Sequence, residues 1–227
     1  MALLTDTDLI KIITDDIHNS DDDKLVIYPY DNQYLTPVGY DLRVGGMYVT
    51  TGKREIKSVR EKEPAVLPPN STSLITTYEE IHMPQSRLYS GLIESKVSKV
   101  SMGLSHISTT VDPDWKGNLL IAVHNHSSRE VKLGLGEPFC TMVIVENKSK
   151  STAKSGHDPG RSKLLLNQFA ATSKGAKVKS ELLNLVPPTI IIGFTVAGYF
   201  KYGNAAGFPA MVACGVAISQ YVSSRLK

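Results

Sequence analysis

A mainly β domain, opened by one short helix and followed by a C-terminal helical pair, is the fold this sequence predicts. Three observations carry that expectation. Short apolar runs recur between Pro, Gly, Asn and Asp, an early stretch has helical periodicity, and two uncharged segments lie close together near the end. Of the 227 residues, 41% are hydrophobic and 21% charged, which is apolar material enough for a packed core. A formal net charge of +3 is too small to point to nucleic acid as a partner.

The opening LTDTDLIKIITDDI puts Leu9, Ile10, Ile12, Ile13 and Ile17 at helical spacing, with Thr5 or Asp6 placed to cap the start. Acidic residues stand where a secretion signal would carry basic ones. LVIYPY, PAVLPP, TSLITTY, NLLIAVHN and CTMVIVE then read as strands of a sandwich or barrel that fills residues 1–147. Within it, Val111–Asn125 (VDPDWKGNLLIAVHN) joins an Asp-Pro-Asp turn, the single Trp and a Gly to an apolar strand. Cys140 and Cys214 lie far apart in segments of different character, so neither a disulfide framework nor a zinc site is expected. His106, His124 and His126 share no metal-ligand spacing on one element.

Residues 148–181, rich in Lys, Ser and Gly, read as a basic arm or linker with a helical piece at LLLNQFAAT. Residues 182–224 follow as two segments, each about the 20 residues a bilayer span needs, separated only by Lys201. Lys174, Lys177 and Lys179 precede them and Arg225 and Lys227 follow. Basic flanks on both sides predict a transmembrane hairpin in the cell membrane, with the soluble domain and both termini cytoplasmic. The alternative is a buried helical pair that completes the core or an oligomer interface.

Five segments in order carry a family resemblance: LLTDTDLIKII, LVIYPYDNQYLTPVGYDLRVG, IESKVSKVSMGL, VDPDWKG and LGLGEPFCTMVIVE. Residues 3–147 on these grounds resemble the dCTP deaminase and dUTPase superfamily, homotrimers of a distorted β-barrel with nucleotide sites between subunits. The resemblance implies a nucleotide ligand held by Ser95, Lys96 and Lys99 in the phosphate motif and by Asp112 and Trp115 in the hairpin. GRSKLLLNQFAATS is similar to the deaminase arm over the phosphates, which adds Lys163 and Gln168. Gly39 and Asp41 in the first motif read as structural.

The departures from the family are equally specific. Deaminases keep a Glu ten residues after the hairpin Asp, as the acid and base of the reaction; counting ten from Asp112 reaches Ala122, which carries no proton. Glu94 stands where the family's phosphate motif has Arg, Lys99 falls where deaminases keep a second Arg, and in the later strand Pro138 replaces Arg and Thr141 replaces Gln. The resulting expectation is a nucleotide-binding pseudoenzyme coupled to a membrane hairpin, by analogy a nucleotide-sensing antiviral effector. The first alternative is an active, membrane-anchored dCTP deaminase or dUTPase, with Asp112 catalytic and Mg2+ accompanying the triphosphate. The second is a trimeric scaffold without ligand.

Overall fold

The computed structural model describes residues 2–18, 21, 23–53, 55–154, 161–203, 205 and 207–226. The expected arm therefore falls partly outside the described residues, at 155–160, as do the side chains of residues 172–185 and 225–227 with the flanking charges. By internal contacts the chain divides into Met1–Ala171 and Thr172–Lys227.

The first unit opens with β1 (Ala2–Leu3), α1 (Asp6–Ile12), β2 (Ile13–Thr14) and β3 (Leu25–Tyr28). Next come β4 (Leu35–Thr36), β5 (Gly39–Thr50), β6 (Lys57–Ser58), β7 (Ala65–Leu67) and β8 (Ser71–His82). β9 (Tyr89–Ser95) leads into the single turn α2 (Val97–Val100), then β10 (Leu104–His106) and β11 (Thr110–Val111). The domain finishes with β12 (Lys116–Asn125), β13 (Val131–Leu133) and β14 (Pro138–Glu146). The long helix α3 (Arg161–Tyr202) and α4 (Gly207–Leu226) follow.

The mainly β domain with a short leading helix is as expected. α1 is capped at Thr5, where the Asp8 carboxylate accepts from the Thr5 hydroxyl at 2.9 Å and backbone N–H at 3.3 Å. The helix is shorter than its apolar pattern, because Ile13 and Thr14 leave it to pair in parallel with Leu25 and Val26. One sheet runs in the order β10-β12-β8-β5-β14-β9-β11, with β7 and β13 paired separately. β5 joins its two halves: Tyr40–Arg43 pair with β14 and Val44–Thr50 with β8. Gly45 sits at that change of partner, where a Cβ would lie 2.3 Å from the Thr77 carbonyl oxygen. Only glycine permits so close an approach.

Along β12 the alternation is clean. Leu119, Ile121, Val123 and Asn125 are buried, while Leu120, Ala122 and His124 are half-buried on the opposite face. Leu119, Ile121 and Val123 join the main core with Leu25, Ile27, Tyr40, Leu42, Ile75, Ile93 and Met142. The second face carries a smaller cluster, in which Leu166 and Ala170 of α3 pack on Val49 with Met47, Leu74 and Leu120 around them.

In the second unit α3 and α4 pack together: a Cβ on Gly215 would lie 2.7 Å from that of Phe194, and one on Gly198 would lie 3.0 Å from Met211. The helical pair is present, but its expected role is corrected. Among the described residues no helix is long and apolar enough to cross a membrane. The apolar character of α4 is diluted by Ser219, Gln220, Tyr221, Ser223 and Ser224, and that of α3 by Pro187, Pro188, Thr189 and Lys201. The described helices therefore give the expected transmembrane hairpin no support, and the cell-membrane location stays an expectation drawn from the sequence.

Candidate functional site

The phosphate motif lies where β9 ends and α2 begins. β9 pairs with β14 up to Ser95↔Cys140, which fixes the strand; α2 then turns Lys96 and Lys99 back over β5 and β14. Lys96 ion-pairs with Asp41, whose carboxylate also accepts from the Thr141 hydroxyl at 2.6 Å. Lys99 ion-pairs with Glu137, which accepts from the Gly134 backbone N–H at 2.7 Å. Thr141 thus has a partner in the first motif.

Ser95 meets a residue that sequence reasoning considered only as a metal ligand. Its hydroxyl lies 2.6 Å from His106 Nδ1, and His106 Nε2 lies 2.8 Å from the Ile93 carbonyl oxygen. Ser95, Lys99, Ser105, His106, Leu133 and Phe139 line a small cavity of about 10 Å³, room for roughly one water-sized group. A phosphate oxygen fits such a space; a whole nucleotide does not.

The hairpin is placed by a second glycine. β11 pairs with β9 through Val111↔Gly91, and a Cβ on Gly91 would meet that of Val111 at 2.9 Å. The turn closes with the Trp115 N–H donating to the Asp112 carbonyl at 3.0 Å. Trp115 is half-buried against the core and its indole donates to Gly117 O at 2.9 Å, so it supports the turn from beneath. Arg87 braces the other side, 3.3 Å from Asp114, and donates to the Ala153 carbonyl at 3.0 Å. A cleft of about 310 Å³ lies there between Met83, Gln85, Arg87, Pro113, Asp114 and Lys116.

Ser95 and Lys99 are thus brought together, and Asp112 and Trp115 share one turn. The two groups are not brought together within one chain: Gly91, opposite the hairpin, is four residues from Ser95 along β9, roughly 13 Å at strand rise. Lys163 and Gln168 are exposed on the first turns of α3, apart from the buried Leu166 and Ala170. Glu94 is exposed at the end of β9.

Beneath the site is a buried polar layer. Glu79 is wholly buried and burial pushes its carboxyl up, a shift opposed by hydrogen bonds from Arg43. Burial also raises Tyr40 to about 12. Cys140 is raised by burial, then by the Glu79 and Asp41 carboxylates, so it stays an inert thiol. Among the described residues no group of three or more His, Cys, Asp or Glu side chains could hold a metal ion.

Ala122 needs separate description. Its Cα partner across the sheet is Leu74, and Leu120 is two residues away on the same face. Both leucines belong to the apolar cluster under α3. The position at which the resemblance leads one to expect a carboxylate is here a methyl group beside hydrocarbon.

Residues 12–147 match the family described as dCTP deaminase-like. The chain is 34% identical over 122 residues to a dCTP deaminase of Thermococcus kodakarensis, covering 54% of this chain and 76% of that protein. It is 30% identical over 146 residues to the dCTP deaminase of Pyrococcus horikoshii, covering 64% of this chain and 91% of that protein. A dUTPase from phage phi11 of S. aureus superposes with a TM-score of 0.42 at 18% identity, over 60% of this chain and 98% of that one.

Proposed function

The chain belongs to the dCTP deaminase-like family, and from that premise we propose that it binds a pyrimidine deoxynucleoside triphosphate, dCTP first among them, without deaminating it by the family's route. The observation that carries this reading is Ala122. General acid–base transfer needs a group that exchanges protons at the reacting atoms, worth about 10²–10⁴-fold in rate, and a methyl group beside Leu74 and Leu120 has none to exchange. Binding keeps its support: Ser95 and Lys99 line one small cavity, and Asp112 stays in the hairpin turn.

In a trimer, with nucleotide sites between subunits, the phosphate motif of one copy would meet the hairpin of another. The separation of the two groups along β9 fits that division of labour. The described helices supply no span that would support an antiviral membrane effector.

A second reading, retained enzymatic turnover, is favoured by the relatives. Proteins named dCTP deaminase align over most of their own length at 30–34% identity. Asp112 would be the catalytic residue there, positioning water for triphosphate hydrolysis.

One experiment separates the two. The full chain is mixed with dCTP and dUTP and scored together for thermal shift, ammonia and pyrophosphate. A shift without either product is expected. Ammonia or pyrophosphate at turnover rates would establish the enzyme instead, and no shift with any triphosphate would remove both readings.

A further inference from the structure

We infer that His106 is a positioning residue for the anion site, controlling which face of the Ser95 hydroxyl meets a phosphate, so that binding takes up a proton at His106. The inference rests on the reading of this cavity as a phosphate site.

The hydrogen-bond pattern dictates the direction of each bond. A carbonyl oxygen only accepts, so His106 Nε2, 2.8 Å from Ile93 O, must carry the hydrogen. The same carbonyl takes its second bond from the Ser108 hydroxyl at 2.9 Å, which uses both lone pairs. In the neutral ring, Nδ1 is then the acceptor. The group 2.6 Å from it is the Ser95 hydroxyl, which must donate there. Ser95 therefore offers an anion only oxygen lone pairs, and the contact is repulsive.

Protonation reverses the sign of both contributions. Nδ1–H now donates to Ser95 Oγ, the Ser95 hydrogen is released towards the cavity, and the ring carries a positive charge. Hydrogen bonds that involve an ionised partner are the stronger kind, so the two changes act together. The remaining charges nearby do not do this work. Lys99 is neutralised by Glu137 and Lys96 by Asp41, and Glu94, the next residue along β9, is of the wrong sign. From β12, His124 is bonded to Thr72 at 3.0 Å and the adjoining His126 to Ser105 at 2.7 Å. Of these histidines, only His106 is joined to the Ser95 hydroxyl among the described residues.

A ligand that prefers the protonated ring must take up a proton when it meets the neutral one, and its affinity must rise as pH falls, by up to about tenfold per pH unit. The test uses the full chain, with inorganic tripolyphosphate and dCTP as separate probes. Calorimetric titration at neutral pH in PIPES and in Tris, buffers of different ionisation enthalpy, counts protons directly. Uptake approaching one proton is expected, together with tighter binding at pH 6 than at pH 8. In H106Q both effects should vanish while weakened binding persists.

The nitrogen-15 shifts of the His106 ring in the unaltered protein give a measurement that needs no variant. They should report an Nε2–H tautomer when free and an imidazolium when tripolyphosphate is bound. Binding of either probe without proton uptake, or uptake unchanged in H106Q, overturns the role of His106 alone. Tripolyphosphate binding with uptake while dCTP is ignored supports that role and removes the nucleotide reading. Silence with both probes removes both.

Discussion

Arg43 grips Glu79 twice, with its backbone N–H at 2.9 Å and its Nε at 2.5 Å from the two carboxylate oxygens. The pair stands where β5 passes from β14 to β8. The guanidinium also donates to Pro29 O at 2.8 Å and lies within 5 Å of the Tyr34 and Tyr78 rings. These partners compensate the cation, which makes the polar layer tolerable inside the domain.

Removing one partner from a buried ion pair leaves the other uncompensated. R43A should lower unfolding free energy by about 3–5 kcal/mol in urea denaturation. R43K retains charge but loses the planar fork and the ring contacts, so it should fall between R43A and the unaltered protein.

The pH dependence follows from Glu79. Its folded carboxyl is raised from 4.5 by burial, so the folded chain holds this proton more tightly than the unfolded chain does. The contribution is fully present below 4.5 and is lost as pH rises through the folded value. The unaltered protein should accordingly lose stability relative to E79Q as pH rises from 4.5, and urea midpoints measured across that range check it.

A122E puts a carboxylate where the family resemblance leads one to expect it, but beside Leu74 and Leu120. Partial desolvation should cost about 1–3 kcal/mol in thermal unfolding, and ammonia release from dCTP should stay at background. Recovery of deamination by this one change would mean that the site had kept everything else it needs.

Leu166 is wholly buried although it belongs to the helix after the last strand. L166A should cost about 2–5 kcal/mol, as for other large core side chains, measured by the same denaturation.

Local pattern foretold the strands well. NLLIAVHN and CTMVIVE became β12 and β14 because their alternation or continuous apolar content matches a half- or fully buried strand. The leading helix and the turn at Asp112–Trp115 were equally plain, since caps and turns are set by neighbours in sequence. What sequence did not reveal were the partners: Ser95 with His106, Lys96 with Asp41, Lys99 with Glu137. These join residues from different elements and depend on register, which no local pattern encodes. The membrane assignment lacks support in the described helices for another reason. It weighed the lack of charge, whereas insertion depends on summed apolarity, which Pro, Ser, Gln and Tyr reduce.

The packing of α3 on Val49, Leu74 and Leu120 also bears on where this domain can be cut. A proteolytic fragment ending with β14 would keep every motif, yet expose a strip of hydrocarbon along the sheet and be prone to self-association. One ending after Ala171 would retain its cover. The smallest self-sufficient piece of this protein is thus set by a helix outside all five of those segments.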